Sequence, residues 1–220
     1  MLSRMDSSLV DLWPLFGLEL RSPRLVLTPV RDDHLAGLVT AVRAGVHDPA
    51  EQPFDFPWTS APADELGPNT LRHLWASRAA TRAGHWDLQF AVLRDGVPIG
   101  VQDVRADQFD VVRTIGTGSW LSSAHQGQGL GTEMRAAILM FAFDHVGALR
   151  AESAAFVDNP RSLRVSEKLG YVDNGGWFQP RRPGESAESR RMLVTPTSFV
   201  RPDWAVEVRG LRECRALLGF

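Results

Sequence analysis

One stretch, Gln126-Gly127-Gln128-Gly129-Leu130-Gly131-Thr132, constrains this chain more than any other feature. Its alternating glycines let successive backbone N–H groups turn inward with no Cβ in the way. After it, Met134, Ile138, Phe141 and then His145 or Val146 recur at the 3.6-residue period of a helix that runs to about residue 146. Before it, Val111–Leu121 reads as a strand loosened by Gly116 and Gly118. Strand, glycine loop and helix N-terminus together suit a diphosphate, because free N–H groups and the helix dipole both favour an anion. The bland alternative is a glycine-rich turn that does no more than start a helix.

The flanking chain supplies the context. Arg24-Leu25-Val26-Leu27-Thr28 is rich in strand formers, and Asp32 or Asp33 can cap a helix through about Arg43. Residues 45–68 carry repeated Pro, Gly and Asp and are expected to form a loop, with a helix beginning at Asn69 and running to about Arg82. Strands at 87–93 and 97–104 meet through Asp95-Gly96, a pair suited to a tight hairpin turn. A strand at 150–157, a short helix at 161–169 and strands at 171–178 and 190–195 complete the pattern. Strands flanking isolated helices indicate an α/β (α+β) fold rather than a bundle or sandwich.

The bulk properties narrow the functions. A chain of 220 residues suits one domain with additions at its ends. A net charge of −2 provides no global field for nucleic acid. The single cysteine, Cys214, allows no intramolecular disulfide and no Cys-rich zinc site, which fits a reducing compartment. No apolar run approaches the roughly 18 residues that span a bilayer, and Met1–Asp11 lacks the pattern of a secretory leader, so a cytoplasmic protein is expected.

Three diphosphate loops can be compared with residues 126–132. A Rossmann loop needs G-x-G-x-x-G, whereas the third glycine here falls two residues after the second and no acidic ribose partner follows at the expected strand end. A Walker loop needs a lysine before its Ser or Thr, and Gly131-Thr132 has none. The third pattern is Gln/Arg-x-x-Gly-x-Gly/Ala, and Gln126, Gly129 and Gly131 occupy it. Downstream, Asn159-Pro160-Arg161-Ser162 and Lys168-Leu169-Gly170-Tyr171 add a strand end, a short helix and an aromatic strand start. With Arg24-Leu25-Val26-Leu27 and Gly118-Ser119-Trp120-Leu121, these residues resemble the GNAT acyltransferases, specifically the RimJ/RimL branch, over roughly residues 22–195.

That resemblance implies a single domain over 22–196, with extensions at 1–21 and 197–220. Its mixed central sheet would have about six to seven strands, a splayed pair at the coenzyme A site and helices on both faces. It implies an acyl-CoA-dependent N-acyltransferase that moves an acetyl group, with succinyl the second choice, to a primary amine of a small molecule or a protein N-terminus. The coenzyme would be held by Trp120, Leu121, Gln126, Gly127, Gln128, Gly129, Leu130, Gly131, Thr132, Asn159 and Ser162. Capping of the next helix is the alternative role for Asn159, and core packing for the Trp120 side chain. Ser162 matches the position whose hydroxyl protonates the departing thiolate, and the Leu121 backbone N–H would meet the oxyanion.

The sequence departs from a common family pattern in one respect, since Arg113–Leu121 contains no Asp or Glu to act as base. Glu152, Glu185, Glu188, Asp103 and His85 are candidates by location only, Glu152 being the one singled out, and a surface or structural charge is the alternative role for each. The amine must be neutral to attack, and an ordinary pKa of about 8 makes an α-amine an easier nucleophile than lysine at about 10.4. The acceptor wall is expected from the first two helices and their loop, with Trp58 and Trp75 the leading contacts beside His47, Asp48, Phe54 and Phe56. An arginine group at 181, 182, 190 and 191 could hold a carboxylated acyl chain. No metal, nucleic acid or membrane partner is expected, and the apolar chain ends are candidates for a homodimer contact. The competing function is a module that binds acyl-CoA without turning it over.

Overall fold

The computed structural model describes residues 8–220, within which all strands join one mixed sheet. The first seven positions of the expected 1–21 extension, and of the leader reading, lie outside the described residues. In chain order the elements are α1 (Leu9–Leu12), β1 (Glu19–Arg21), β2 (Val26–Pro29), α2 (Asp32–Arg43), α3 (Ala63–Ala80), β3 (Trp86–Arg94), β4 (Val97–Ala106) and α4 (Phe109–Val112). There follow β5 (Thr114–Leu121), α5 (Leu130–Met140), a π-helical turn at Phe141–Val146, β6 (Arg150–Phe156) and α6 (Pro160–Lys168). The chain closes with β7 (Val172–Arg182), β8 (Glu185–Val194), β9 (Glu207–Arg209) and α7 (Leu211–Leu218).

The strand order is β7-β8-β6-β5-β4-β3-β2-β1-β9, and only β5 and β6 run parallel. Helices cover both faces because each strand alternates its apolar residues. Phe90, Val104 and Ile115 point into the larger core with Met134, Ile138 and Phe141 of the α5 segment. Ala91 and Val101 point the other way, onto Leu35 and Leu38 of α2 and Leu74 of α3.

The sheet has nine strands among the described residues rather than six to seven. The added pair comes from the chain ends, where β1 lies between β2 and β9. Three residues each are too few to show alternation in a sequence. Leu15, Leu18, Cys214 and Leu218 are buried in the larger core, and the Trp86 indole donates to the Leu218 carbonyl at 2.8 Å.

Three expected boundaries are corrected. The α3 helix starts at Ala63 and runs through Pro68, where a loop is expected to continue to residue 68. Proline there forfeits one N–H donor, but Gly67, Thr70, Leu74 and Ser77 form one buried stripe, so packing overrides the breaker. A Cβ on Gly67 would lie 3.1–3.2 Å from Arg43 and Val39, so the glycine lets α3 lie close on α2. Residues 111–113 are not strand: Val111 and Val112 end α4, and Arg113 takes φ 52° before β5 begins. The last hairpin is longer than expected, since β7 continues to Arg182 and β8 begins at Glu185, with Gly184 at φ 76° in the turn.

Candidate active site

The β5 strand ends at Leu121 and a 3-10 turn at Ser123–His125 delivers the glycine loop. Gly127 and Gly129 have φ of 73° and 79°, a left-handed conformation that L side chains resist. Gly129 is the N-cap of α5 and supplies no side-chain acceptor for the first turn. Among the described residues, the backbone N–H groups of Gly127 through Thr132 donate to no protein acceptor. A continuous row of free donors therefore heads the helix.

The surrounding side chains fix the loop. Gln126 Nε2 donates to the Leu121 carbonyl at 2.8 Å and to the Val46 carbonyl at 2.7 Å. Gln128 accepts from Arg94 at its side-chain oxygen and from Arg24 at its carbonyl. Arg24 is anchored on the buried Glu133, which accepts its Nε at 2.6 Å, its backbone N–H at 2.8 Å and the Ser22 hydroxyl at 2.8 Å. The Gln126 and Gln128 side chains are thus engaged in shaping the cradle. The roles of Arg24 and Glu133 escape sequence reading because they are paired across more than a hundred residues.

The strand that leads into the loop also borders a gap in the sheet. The β5 and β6 strands pair only from Thr114↔Arg150 to Gly116↔Glu152, and then separate. Leu121 faces Gly100 as a non-hydrogen-bonded pair, while its neighbour Ser122 donates to the Ile99 carbonyl at 2.9 Å. The Leu121 N–H consequently points away from β4 and into the gap. Arg135, 3% exposed on α5, spans the opening: Nη2 donates to Ser119 Oγ on β5 and Nη1 to Ser153 Oγ on β6, at 3.2 and 3.1 Å. In the sequence it shows only as one cation within an otherwise apolar helix face.

A cavity of about 910 Å³ adjoins the gap. Asn159 and Ser162 line it from the start of α6. Asn159 Oδ1 caps that helix by accepting the Ser162 N–H at 3.1 Å, while the Ser162 hydroxyl has no partner among the described residues. Trp58 and Trp120 face each other in the wall, ring centroids 5.9 Å apart, and Phe54 extends the row at 5.1 Å from Trp58. Trp75, 48% exposed, lies outside the cavity lining, as do Glu152, Leu121 and the whole glycine loop from Gln126 to Thr132. The expected arginine group is engaged elsewhere. Arg181 pairs with Asp158 over the Phe156 ring, Arg182 donates to Ala50, Arg190 pairs with Asp173 and Arg191 stacks on Trp177.

Asp103 of β4 does reach the cavity, its side chain 18% exposed. It leans over Gly118 of β5, whose N–H donates to Asp103 Oδ1 at 2.5 Å. Burial raises the Asp103 carboxyl above the ordinary range, against the opposing pull of Arg105, the Gly118 N–H and Arg135.

A family model described as an acetyltransferase (GNAT) domain matches residues 24–172. Among solved structures, RimJ of Mycobacterium smegmatis in complex with CoA-disulfide is 20% identical, with a TM-score of 0.72 over 93% of this chain and 95% of that one. RimL, a ribosomal L7/L12 alpha-N-protein acetyltransferase solved with coenzyme A, is 18% identical, with a TM-score of 0.65 over 79% and 95%. A GCN5-related N-acetyltransferase from Brucella melitensis is 22% identical, with a TM-score of 0.65 over 82% and 79%. At these identities the likeness is one of fold.

Proposed function

Because this chain belongs to the GNAT acetyltransferase family, we propose that it transfers an acetyl group from acetyl-CoA to a primary amine of a small molecule or a protein N-terminus. The observation that carries the reading is the row of N–H groups from Gly127 to Thr132 that have no protein partner among the described residues, in the loop that follows β5 after it has parted from β6. These residues fit coenzyme A. Aligned N–H groups and the α5 dipole suit a diphosphate, and the open strand edges suit the amides of a pantetheine arm. The coenzyme brings the activated thioester, and the remaining chemistry belongs to this chain's own groups.

Leu121 offers its gap-facing N–H to the charge that develops on the acyl oxygen. Ser162, with its hydroxyl unengaged at the cavity edge, supplies a proton to the sulfur that leaves. Trp58 and Trp120 form an apolar wall that limits water at the reacting centre. Acetyl is favoured over succinyl because each of the four arginines expected to hold a carboxylate has another partner. The amine attacks the thioester directly in this scheme; Cys214 is buried in the larger core, its thiol pushed up to about 11 by burial, and takes no part in it.

The test is free-thiol release from acetyl-CoA and succinyl-CoA with a panel of peptides and small amines. Amine-dependent release is expected, fastest with acetyl-CoA. Tight coenzyme A binding with release at the solvent background for every pair would instead indicate a non-catalytic binding module. Absence of both binding and release would overturn the reading altogether.

A further inference from the structure

The geometry points to Asp103 as the general base of this site, presented from β4 across a glycine of β5 that carries no side chain. This inference rests on the acyl-transfer reading above and adds to it the group that takes the proton from the amine.

Gly116, Gly118 and Trp120 share the face of β5 that looks toward α3, and the two glycines leave the middle of that face bare. Asp103 fills the space. An ideal Cβ built on Gly118 would lie 2.6 Å from Asp103 Oδ2 and 3.0 Å from the Arg105 guanidinium. The carboxylate therefore stands where a side chain from position 118 would start. Any larger residue there would displace it, which gives the glycine a specific reason to be present.

The carboxylate is held in place. Its Oδ1 accepts the Gly118 N–H at 2.5 Å, and Arg105 Nη2 donates to its Oδ2 at 3.4 Å. The charged and titratable groups around it are Arg105 on its own strand, Asp87 on β3 and Arg135 on α5, with His73 of α3 and Asp55 of the preceding loop also lining the cavity. Burial, and to a lesser degree Asp87, favour the proton on Asp103, whereas Arg105, the Gly118 N–H and Arg135 oppose it. A carboxyl poised above its ordinary range is a better base near neutrality than a fully solvated one.

The spacing along β5 accommodates this role. Gly118 precedes Leu121 by three residues, which is about 10 Å of strand. That leaves room for the amine and one bridging water between the carboxylate and the Leu121 N–H. In the reaction, the ammonium gives one proton to the Asp103 carboxylate, and the freed lone pair forms the C–N bond. The C–S bond breaks with its electron pair on sulfur, and the second nitrogen proton reaches that sulfur by way of solvent and the Ser162 hydroxyl. Asp103 then returns its proton to bulk water.

The test uses the full chain and the best amine from the thiol-release panel. Asp103→Asn keeps the shape and an oxygen for the Gly118 N–H but cannot take a proton. We expect kcat to fall by about 10²–10⁴-fold, with coenzyme A affinity within twofold of the parent. The lower limb of the kcat profile should lose the Asp103 titration and climb tenfold per pH unit toward the pKa of the amine. Retention of kcat within about threefold, or a drop with an unchanged profile shape, would overturn the assignment, as would loss of that limb in Glu152→Gln alone. If Asp103→Asn also loses coenzyme A binding, Gly118→Ala decides. Its methyl group should push the carboxylate aside and lower kcat at least tenfold with coenzyme A bound normally, and unchanged kcat would sink the proposal. A parent protein inactive with every donor and amine would fail the acyl-transfer reading itself, a result distinct from an active parent with an active Asp103→Asn.

Discussion

Gly129→Ala tests the cradle most directly. Gly129 sits at φ 79° as the N-cap of α5, with the nearest foreign atom to an added Cβ being Arg24 Nη2 at 3.5 Å, so the change is one of backbone preference rather than collision. Holding alanine in the left-handed region costs about 1–2 kcal/mol, or roughly 2–8 °C in Tm for a chain of this size. If the loop relaxes instead, one or more N–H groups turn away from the anion. A hydrogen bond to a charged partner contributes about 1.5–3 kcal/mol, so coenzyme A affinity should fall about 10- to 150-fold. Gly96→Ala is the control, because Gly96 has φ 78° and open space around it in the β3–β4 turn. It should lose similar stability and bind coenzyme A normally. Titration calorimetry reads the affinity, and thermal melts give a second measure. Ligand at 100 times the parent Kd should stabilise the parent by about 2.7 kcal/mol and a tenfold weaker variant by about 1.4 kcal/mol. Equal coenzyme A affinity in the two folded variants would refute the cradle.

Ser162→Ala should lower kcat by tenfold or more while leaving coenzyme A affinity within about threefold, because its N–H still meets the Asn159 cap and only the free hydroxyl is lost; steady-state rates and direct binding separate the two. Asp103→Asn should melt higher than the parent at pH 7. The folded pKa of Asp103 is raised, so ionisation in the folded state costs stability above that pKa, and the advantage should vanish as pH falls below the unfolded value near 3.8; a lower Tm at pH 7 would contradict the sign. Cys214, buried on α7 with its thiol donating to the Gly210 carbonyl at 3.1 Å, should resist iodoacetamide at pH 8 in the folded chain and react once urea unfolds it. Mass spectrometry reads both states.

The sequence by itself determined the parts whose signals are local. The glycines at 127 and 129 marked a turn that starts a helix, since left-handed backbone and helix start are properties of adjacent residues. The Asp95-Gly96 turn, the α5 period and the strands around them were legible for the same reason. What required the tertiary structure is contact between distant segments. Three-residue strands β1 and β9 exist because each finds a partner, and α3 passes through Pro68 because its buried stripe lies on α2 and β3. The same holds at the site. The absence of an acid on β5 was plain in the sequence, but only sheet register set Asp103 opposite Gly118 and over the space its missing side chain leaves. Linear order records which residues a strand lacks, and the packing of neighbouring strands decides which residues take their place.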